Sequence, residues 1–417
     1  MANCDHGTEV SLRQRVDGIV AETPVLDLHT HLYDPGFRSL LLRGIDDLLV
    51  YHYLVSESFR QMEIPYDRFW SASKSEQADL IWDALFVKHS PVSEACAGVL
   101  TVLNAFGLDP RQGELKLLRS WFEALPAEDH VDRVFKAANV SAVGMTNSPF
   151  DEVERPYWEQ SIARDSRFFA ALRIDPLILS WGSAVTFLRQ HGYDLTTDRT
   201  EKNAAEVRRF LADWTRKIGS RYCMVSLPPE FRYPADTDTN WLLDHAVLPH
   251  CREFNQPFAL MMGVRRAVNP LLRMAGDGVG RSDLNALRDL CAGNPENRFL
   301  ATVLSRENLH ELVVLARKFR NLHPFGCWWF TNTPQLVGEI TRMRLELLGM
   351  SFTPQHSDAR VLDQLIYKWR HTRSVVSGAL SERYAALASS GWTVTDADIR
   401  RDATELFGGA FERFCRG

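Results

Sequence analysis

Two histidines separated by a single threonine, His29 and His31, are the first residues of this sequence whose types and spacing could do chemistry. They close the stretch "PVLDLHTHL", whose apolar start predicts a buried strand. Side chains two residues apart on a strand point to the same side, and neutral imidazole is the commonest protein ligand for Zn²⁺ and similar ions. The pair therefore predicts part of a metal site, against the plainer alternative of two hydrogen-bonded histidines.

A third ligand is needed, because two imidazoles seldom hold a metal ion alone. The best candidate is Asp358 in "TPQHSDARVLDQ", at the end of the last apolar run of the chain. An aspartate in such a position is more often the N-cap of the following helix. Its assignment as a ligand therefore depends on where the strands place it.

Short runs rich in Val, Ile, Leu or Phe predict strands, with helix-like segments such as "AAEVRRFLADWTRKIG" between them. Several runs are apolar almost throughout, as in parallel strands covered on both faces. About eight strand–helix units predict an α/β fold, a (β/α)8 TIM barrel, whose active site forms at the carboxyl ends of the strands. Closure would bring the last strand, and with it Asp358, beside the first. The runs cover residues 24–32, 140–148, 167–175, 221–229, 257–265, 298–306, 323–330 and 349–358.

The connection between the first two predicted strands is too long for a bare loop. It contains segments of helical periodicity, among them "EQADLIWDALFVKH" and "SEACAGVLTVLNAFGL". We therefore predict one domain over residues 1–417, with a helical subdomain inserted at residues 38–135.

Composition limits the partners of the protein. The 417 residues carry a net charge of −5, which gives no indication of a nucleic-acid or membrane partner. The 7 cysteines show no C-x-x-C pair, and an odd number favours a reducing compartment over a disulfide framework. The polar N-terminal stretch lacks the features of a signal peptide. We expect a cytoplasmic protein.

Several motifs together resemble the uronate (glucuronate) isomerase family of the amidohydrolase superfamily. The first is "DLHTH" on the first strand, combined with an aspartate after the last. The others, in the order the family has them, are "GIDDLLVYHYLVSE" (44–57), "GMTNSPFD" (144–151), "RIDPL" (173–177), "GCWWF" (326–330) and "SDAR" (357–360). Each motif is modestly specific, and the set spans most of the chain.

The resemblance implies a (β/α)8 barrel with a helical insertion, a divalent metal that is usually zinc, and a homo-oligomer. The implied reaction interconverts D-glucuronate with D-fructuronate, or D-galacturonate with D-tagaturonate. Such an isomerase moves a proton between C2 and C1 through an enediol. It needs a carbon base, stabilisation of the developing oxyanion, and a clamp for the carboxylate of the sugar acid.

Tyr53 is the first candidate for the carbon base, with Asp358, His52 and His29 as alternatives that the sequence leaves open. A phenol ionises near pH 10 and would need a neighbouring cation such as Arg360.

Arg173 and Arg360 are candidate carboxylate clamps, because guanidinium binds carboxylate through two hydrogen bonds. Trp328 and Trp329 are expected on opposite faces of a strand, so that one could stack on the sugar. The plainer interpretation of the two arginines is that they form surface ion pairs. The plainer interpretation of the two tryptophans is core packing, and that of His52 and Tyr53 is ordinary packing on an amphipathic helix.

One departure separates this chain from hydrolytic members of the superfamily. They usually add a lysine on strand 4 and histidines on strands 5 and 6, and many uronate isomerases have a histidine where this chain has Met261. A metal site of His29, His31 and Asp358 alone is therefore expected, with weaker metal binding. A metal-dependent amide or lactone hydrolase and a catalytically silent sugar-acid-binding barrel are the alternative functions.

Overall fold

The computed structural model describes residues 6–111, 115–160 and 164–416. Its main feature is a curled, parallel, seven-stranded sheet whose strands pair in chain order. The strands are β1 Val25–Thr30, β2 Val140–Asn147, β3 Phe168–Arg173, β4 Cys223–Leu227, β5 Phe258–Met262, β6 Phe299–Val303 and β7 Leu322–Pro324. Each lies within one of the predicted apolar runs or starts one residue outside it, so the strand predictions are confirmed for these seven.

Alternate residues of the strands face two different apolar clusters. On β3, Phe169 and Ala171 contribute to an inner cluster, while Ala170 and Leu172 contribute to a larger outer cluster shared with the helices. This explains why the runs lack a polar face, because both sides of the sheet are covered. The inner cluster contains Leu28, Phe169, Ala171, Tyr222, Met224, Ala259, Met261, Val264, Leu300, Leu304, Phe325, Trp328, Trp329 and Phe411.

The segment predicted as the last strand, 349–358, differs from the prediction. Its one bridge to the sheet pairs Thr353 with Phe325, among the described residues. Further along, the backbone N–H of Asp358 donates to the carbonyl of His29, at 3.1 Å, and that of His31 donates to the carbonyl of Ala359, at 2.7 Å. The segment therefore lies between β7 and β1 as irregular backbone, because only isolated hydrogen bonds connect it to either neighbour.

Helices fill the stretch between β1 and β2, as its periodicity predicted. Their separation as a subdomain over 38–135 stays a prediction. The α-helices here are Ile45–Leu49, His52–Ser58, Tyr66–Ser71, Lys74–Trp82, Glu94–Ala105, Leu115–Glu123 and Ala127–Ala138, with a 3-10 helix at Pro35–Leu40 and a π-helix at Asp83–Val87.

The remaining helices precede β1 or follow β2, and most alternate with the strands. The helix Gln364–Ser389, here called the long helix, packs against the helix His6–Glu22, which precedes β1 in the chain, and against Glu94–Ala105 and Ala127–Ala138, which follow it. A two-stranded hairpin, Val264–Arg265 with Gly278–Val279, follows β5.

None of the helices in the described ranges is long and apolar enough to cross a membrane. The other α-helices are His6–Glu22, Arg155–Glu159, Asp175–Leu179, Trp181–Gln190, Glu201–Ile218, Asp238–Leu242, Leu248–Glu253, Asn285–Gly293, Leu309–Ala316, Pro334–Leu348, Asp396–Thr404 and Ala410–Arg416; π-helices are Leu243–Val247 and Glu405–Gly409, and 3-10 helices are Pro270–Gly276, Arg306–Asn308 and Trp329–Thr331.

Candidate metal centre and active site

The end of β1 and the irregular segment beside it bring His29, His31 and Asp358 together. Nε2 of His29 and Nε2 of His31 each lie 3.3 Å from Oδ1 of Asp358. One ligand atom from each residue falls within 4.8 Å of the others, and no further group of this kind is found in the described ranges. The spacing suits a common metal ion, which two imidazoles and a carboxylate can hold.

Asp27 connects the two pieces of backbone that carry these three residues. Its carboxylate is fully buried and accepts hydrogen bonds from the backbone N–H of Ser357, at 3.1 Å, and from Nε1 of Trp369, at 2.8 Å. Asp358 itself has a positive φ of 53°, which an L-residue adopts only when its surroundings hold it there. The hydrogen bonds of Asp27 thus help to fix the backbone that turns Asp358 towards β1.

The charges of the site follow from burial and from mutual contacts. Burial alone would raise the pKa of Asp358, but the imidazoles of His29 and His31 hold it well below its usual value. Burial and the charge of Arg360 lower the pKa of His31 well below its usual value. At neutral pH the group is therefore an ionised carboxylate with at least one neutral imidazole, the protonation states that metal ligation requires.

His29 and His31 differ in what supports them. Nδ1 of His31 lies 3.0 Å from Oγ1 of Thr146 on β2. His29 is buried beside His356, with ring centroids 4.9 Å apart, and neither ring has a hydrogen-bond partner among the described residues. His356 fits only because residue 326 is a glycine: a Cβ there would lie 1.9 Å from Cδ2 of His356. Unpartnered buried imidazole nitrogens are costly, so those of His29 fit a site that binds an ion.

A polar cavity of about 510 Å³ opens next to the histidines. His31, Arg173 and Arg360 line it, together with Tyr33 and Asp175. Nη2 of Arg173 donates to Oδ1 of Asp175 at 2.8 Å, an arrangement that orients the guanidinium at the end of β3. The volume suits a small polar ligand, and both predicted carboxylate-binding arginines face it.

His52 and Tyr53 lie in a neighbouring region, at the start of the helix His52–Ser58. His52 lines a smaller cavity of about 280 Å³ that shares Arg360 with the first one. Tyr53 packs on the inner cluster. Burial raises the pKa of the Tyr53 phenol well above its usual value, so the resting side chain is protonated. This makes Tyr53 a hydrogen-bond donor at neutral pH rather than a ready carbon base.

The two tryptophans do not occupy a strand. β7 ends at Pro324, and Trp329 lies in a 3-10 turn with a φ of 45°. The prediction that strand alternation separates Trp328 and Trp329 is therefore wrong, because the backbone has left the sheet before either residue. Both are buried in the inner cluster, and the ring of Trp329 lies 5.2 Å from that of His52.

Met261 lies on β5 in the inner cluster, 1 % exposed. Its side chain occupies the interior of the sheet rather than the described metal-ligand group. The expectation of a three-residue site without a strand-5 ligand stays a prediction, as does the expectation of weaker metal binding.

Sequence reasoning missed three buried polar residues near the site. Glu154 accepts hydrogen bonds from Asn147, Trp158 and Tyr33 beside the large cavity. Asp27 stands inside the "DLHTH" motif, and an aspartate within a buried strand is itself a signal, because a buried carboxylate needs hydrogen-bond partners. Lys368 falls within an ordinary helical pattern, and nothing in its sequence context distinguishes it.

The fold and the site define a class: an α/β protein that carries a buried two-histidine, one-aspartate group of the type that holds a divalent metal ion. Comparison with known proteins then narrows the class. No protein-family model and no curated protein matches the chain. Solved structures do match it.

A uronate isomerase from Bacillus halodurans C-125 is 48 % identical, with a TM-score of 0.96, and the match covers 98 % of this chain and 97 % of that one. A uronate isomerase from Thermotoga maritima (14 % identity, TM-score 0.78, 97 % of both chains) shares the fold. A glucuronate isomerase from Caulobacter crescentus also shares the fold, with 14 % identity and a TM-score of 0.76, and the match covers 99 % of this chain and 95 % of that one. The chain belongs to the uronate isomerase family, which confirms the resemblance drawn from its motifs.

Proposed function

We propose that this protein is an aldose–ketose isomerase of hexuronates, interconverting D-glucuronate with D-fructuronate, D-galacturonate with D-tagaturonate, or both. The observation that carries the proposal is the 48 % identity to a uronate isomerase over nearly the whole of both chains. The cavity supports it, because two guanidinium groups and a group of metal-ligand type face a volume suited to a sugar acid.

We further propose that His29, His31 and Asp358 hold a divalent cation, with zinc the first choice. The donor set of two nitrogens and one oxygen fits Zn²⁺, and Nε2 of His29 and Oδ1 of Asp358 are buried without a hydrogen-bond partner in the described ranges. A bound divalent ion supplies Lewis-acid polarisation of substrate oxygens.

The proton chemistry is assigned to the residues around this group. Asp358, an ionised carboxylate, takes the proton from C2 of the open-chain sugar and returns it to C1, which converts the enediol to the ketose. Tyr53 is less suited to this step because its hydroxyl is protonated at neutral pH. Tyr53 donates a hydrogen bond to the oxygen that becomes negative as the enediol forms, and its hydroxyl can pass a proton between the C1 and C2 oxygens. His52, beside Tyr53, and His29 remain the alternative bases.

Arg173 and Arg360 are proposed to bind and orient the sugar acid. Arg173 is already held by Asp175, which favours a fixed role such as anchoring a carboxylate. Arg360 lines both cavities, so its guanidinium can contact substrate next to Tyr53 and His52. Trp328 and Trp329 are proposed to form the apolar wall of the sugar site.

Isomerisation in D₂O tests the function. The metal-loaded protein is incubated with D-glucuronate and, separately, D-galacturonate, and the C1 and C2 protons are followed by NMR. Appearance of the ketose with deuterium incorporation is the expected result. Hydrolysis of a lactone panel without exchange would favour the hydrolase alternative, and binding without turnover the silent barrel.

Three broader expectations remain proposals. The curled sheet, with the irregular segment beside β1, is proposed to be a closed (β/α)8 barrel with an inserted helical subdomain. The protein is proposed to work in the cytoplasm, in line with its odd number of cysteines, and as a homo-oligomer. Size-exclusion chromatography with light scattering tests the last point: a mass of 47.6 kDa, that of one chain, would contradict it.

A further inference from the structure

Lys368 is a buried cation that the proposed reaction does not yet use. It lies in the first turns of the long helix, and its side chain is 2 % exposed. Its Nζ has no hydrogen-bond partner among the residues that the structure describes. The nearest carboxylate oxygen, Oε1 of Glu94, is 3.6 Å away and also lies 3.4 Å from Nδ1 of His371. Burial of an ammonium group with so loose a partner is costly.

The surroundings of Lys368 point towards the active site. Nζ lies 5.4 Å from the ring centroid of Tyr53 and 5.0 Å from that of Tyr367. Tyr367 is the adjacent residue of the same helix, whereas Tyr53 comes from the helix His52–Ser58 and packs on the inner cluster. Lys368 therefore places a positive charge near the ring of Tyr53, a proposed catalytic side chain.

The effect of such a charge is electrostatic. A phenol that donates a hydrogen bond to a developing oxyanion takes on partial negative charge, and a nearby cation in a poorly solvated site stabilises that charge more than it would in water. Burial opposes this stabilisation in two ways: it favours the neutral phenol of Tyr53, and it lowers the pKa of Lys368. The charges of Glu94 and Asp358 partly offset the lowering of the Lys368 pKa. The arrangement is already in place before substrate binds.

We propose that Lys368 is a positioning residue that acts through Tyr53: its ammonium group strengthens the hydrogen bond that the Tyr53 hydroxyl donates to the enediolate oxygen. The inference rests on the proposed isomerase function. The competing explanation is purely structural, a buried ion pair with Glu94 that joins the long helix to the helix Glu94–Ala105.

Neutral variants separate the two explanations. Lys368→Met keeps much of the length and volume without the charge, and we expect kcat to fall about tenfold or more while KM changes about twofold at most. Lys368→Gln is the second neutral variant should Lys368→Met fold poorly, and Lys368→Arg, which keeps the charge, should retain more kcat than either.

Arg373→Met is the matched control, because Arg373 is a partly buried cation on the same helix. It donates to the carbonyls of Thr23 and Asn139, at 2.7 and 2.9 Å, next to the start of β1 and β2. We expect this variant to lower the unfolding temperature while kcat stays within about twofold of the wild type.

A double-mutant cycle gives the decisive measurement. If Lys368 acts through Tyr53, adding Lys368→Met to Tyr53→Phe should change kcat by less than about twofold. Rate losses that multiply in the double variant, or a Lys368→Met enzyme with wild-type kcat, would overturn the inference while the wild type remains an isomerase. A wild-type protein that does not isomerise any hexuronate would instead overturn the proposed function, and the role of Lys368 with it.

Discussion

Asp358 owes its properties to three different neighbours. The imidazoles of His29 and His31 keep its carboxylate ionised despite burial, and the left-handed backbone turns it towards β1. Asp27 holds the backbone of the preceding residue, Ser357. The charge of the Asp358 carboxylate, the direction of its side chain and the position of its backbone are thus set by different interactions. A substitution that changes only the charge therefore tests the carboxylate itself.

We predict that Asp358→Asn removes both metal binding and turnover. The amide is nearly isosteric but neutral, so it binds a divalent cation poorly and accepts no proton. We expect kcat to fall about 100-fold or more and the metal content after dialysis to drop well below that of the wild type. Kinetics and elemental analysis measure the two effects.

Asp363→Asn provides the control for this variant. Asp363 is also fully buried, but its carboxylate accepts from the backbone N–H of Gly44 and contacts Nε2 of His130. Its substitution should lower stability and leave the metal content unchanged. Full activity and metal content in Asp358→Asn would contradict the assignment of Asp358.

His323, at the middle of β7, should make folding sensitive to acid. Burial and the charges of Arg344 and Arg413 lower its pKa from 6.5 to about 3, and Nε2 lies 3.0 Å from Oγ1 of Thr353. Because the folded state resists protonation more than the unfolded state, the stability from neutral His323 is present above pH 6.5 and is lost as the pH falls towards 3.

We therefore predict that His323→Gln weakens the pH dependence of stability. Between pH 7.5 and 5 the wild type should lose about 2 kcal/mol more free energy of unfolding than the variant. Urea unfolding at several pH values measures the difference. Parallel pH profiles for the two proteins, at whatever absolute stability, would contradict the prediction.

A functional residue could be identified from the sequence only where it belongs to a recognisable sequence pattern. His29, His31 and Asp358 carry a pattern, and the structure brings them within contact distance. Lys368 and Glu154 gain their significance from the side chains that surround them in the fold, and a lysine or glutamate is usually a solvated residue. Only the folded chain distinguishes these two from their exposed counterparts.

At the scale of elements, the seven strands were predictable because the sheet is covered on both sides, which makes the runs apolar throughout. The last predicted strand failed for a local reason. The segment 349–358 contains a proline at position 354 and polar residues from 355 onwards, whose side chains bond to each other and to the backbone, as Gln355 does with Asn332 at 2.6 Å. Such bonds compete with a regular ladder.

The contact between the long helix and β1 is an element-scale feature that should control both stability and the metal site. We predict that Trp369→Phe lowers the free energy of unfolding by about 2–4 kcal/mol, because Asp27 loses the Nε1 donor and the smaller ring leaves a cavity. Metal affinity should also fall, since Asp27 holds Ser357 next to Asp358. Urea unfolding and metal titration measure these effects.

Trp392→Phe is the matched control, because Trp392 follows the same helix but is 63 % exposed. It should change the free energy of unfolding by less than about 0.5 kcal/mol. Equal effects of the two substitutions would show that the hydrogen bond to Asp27 contributes little.

At the scale of the whole molecule, the site joins the two ends of the curled sheet, since His29 lies on its first strand, His31 directly follows that strand, and Asp358 follows the last strand. A metal ion bound there should stabilise the entire fold, because it binds the folded chain and not the unfolded one. We predict that chelation lowers the unfolding temperature by a few °C, and that Zn²⁺ restores it. Differential scanning calorimetry measures the shift, and Asp358→Asn, which lacks the ligand, should show none.

The close contact between Gly326 and His356 also constrains how this sequence can change over evolutionary time. With a φ of 68° and a Cβ position only 1.9 Å from the imidazole, Gly326 cannot acquire a side chain while His356 is present. Mutational drift at these two sites is therefore epistatic: a smaller residue must arise at position 356 before anything but glycine is tolerated at 326. Lineages that have lost this histidine would be free of this steric block, and only the positive φ at position 326 would still favour glycine in the turn after β7.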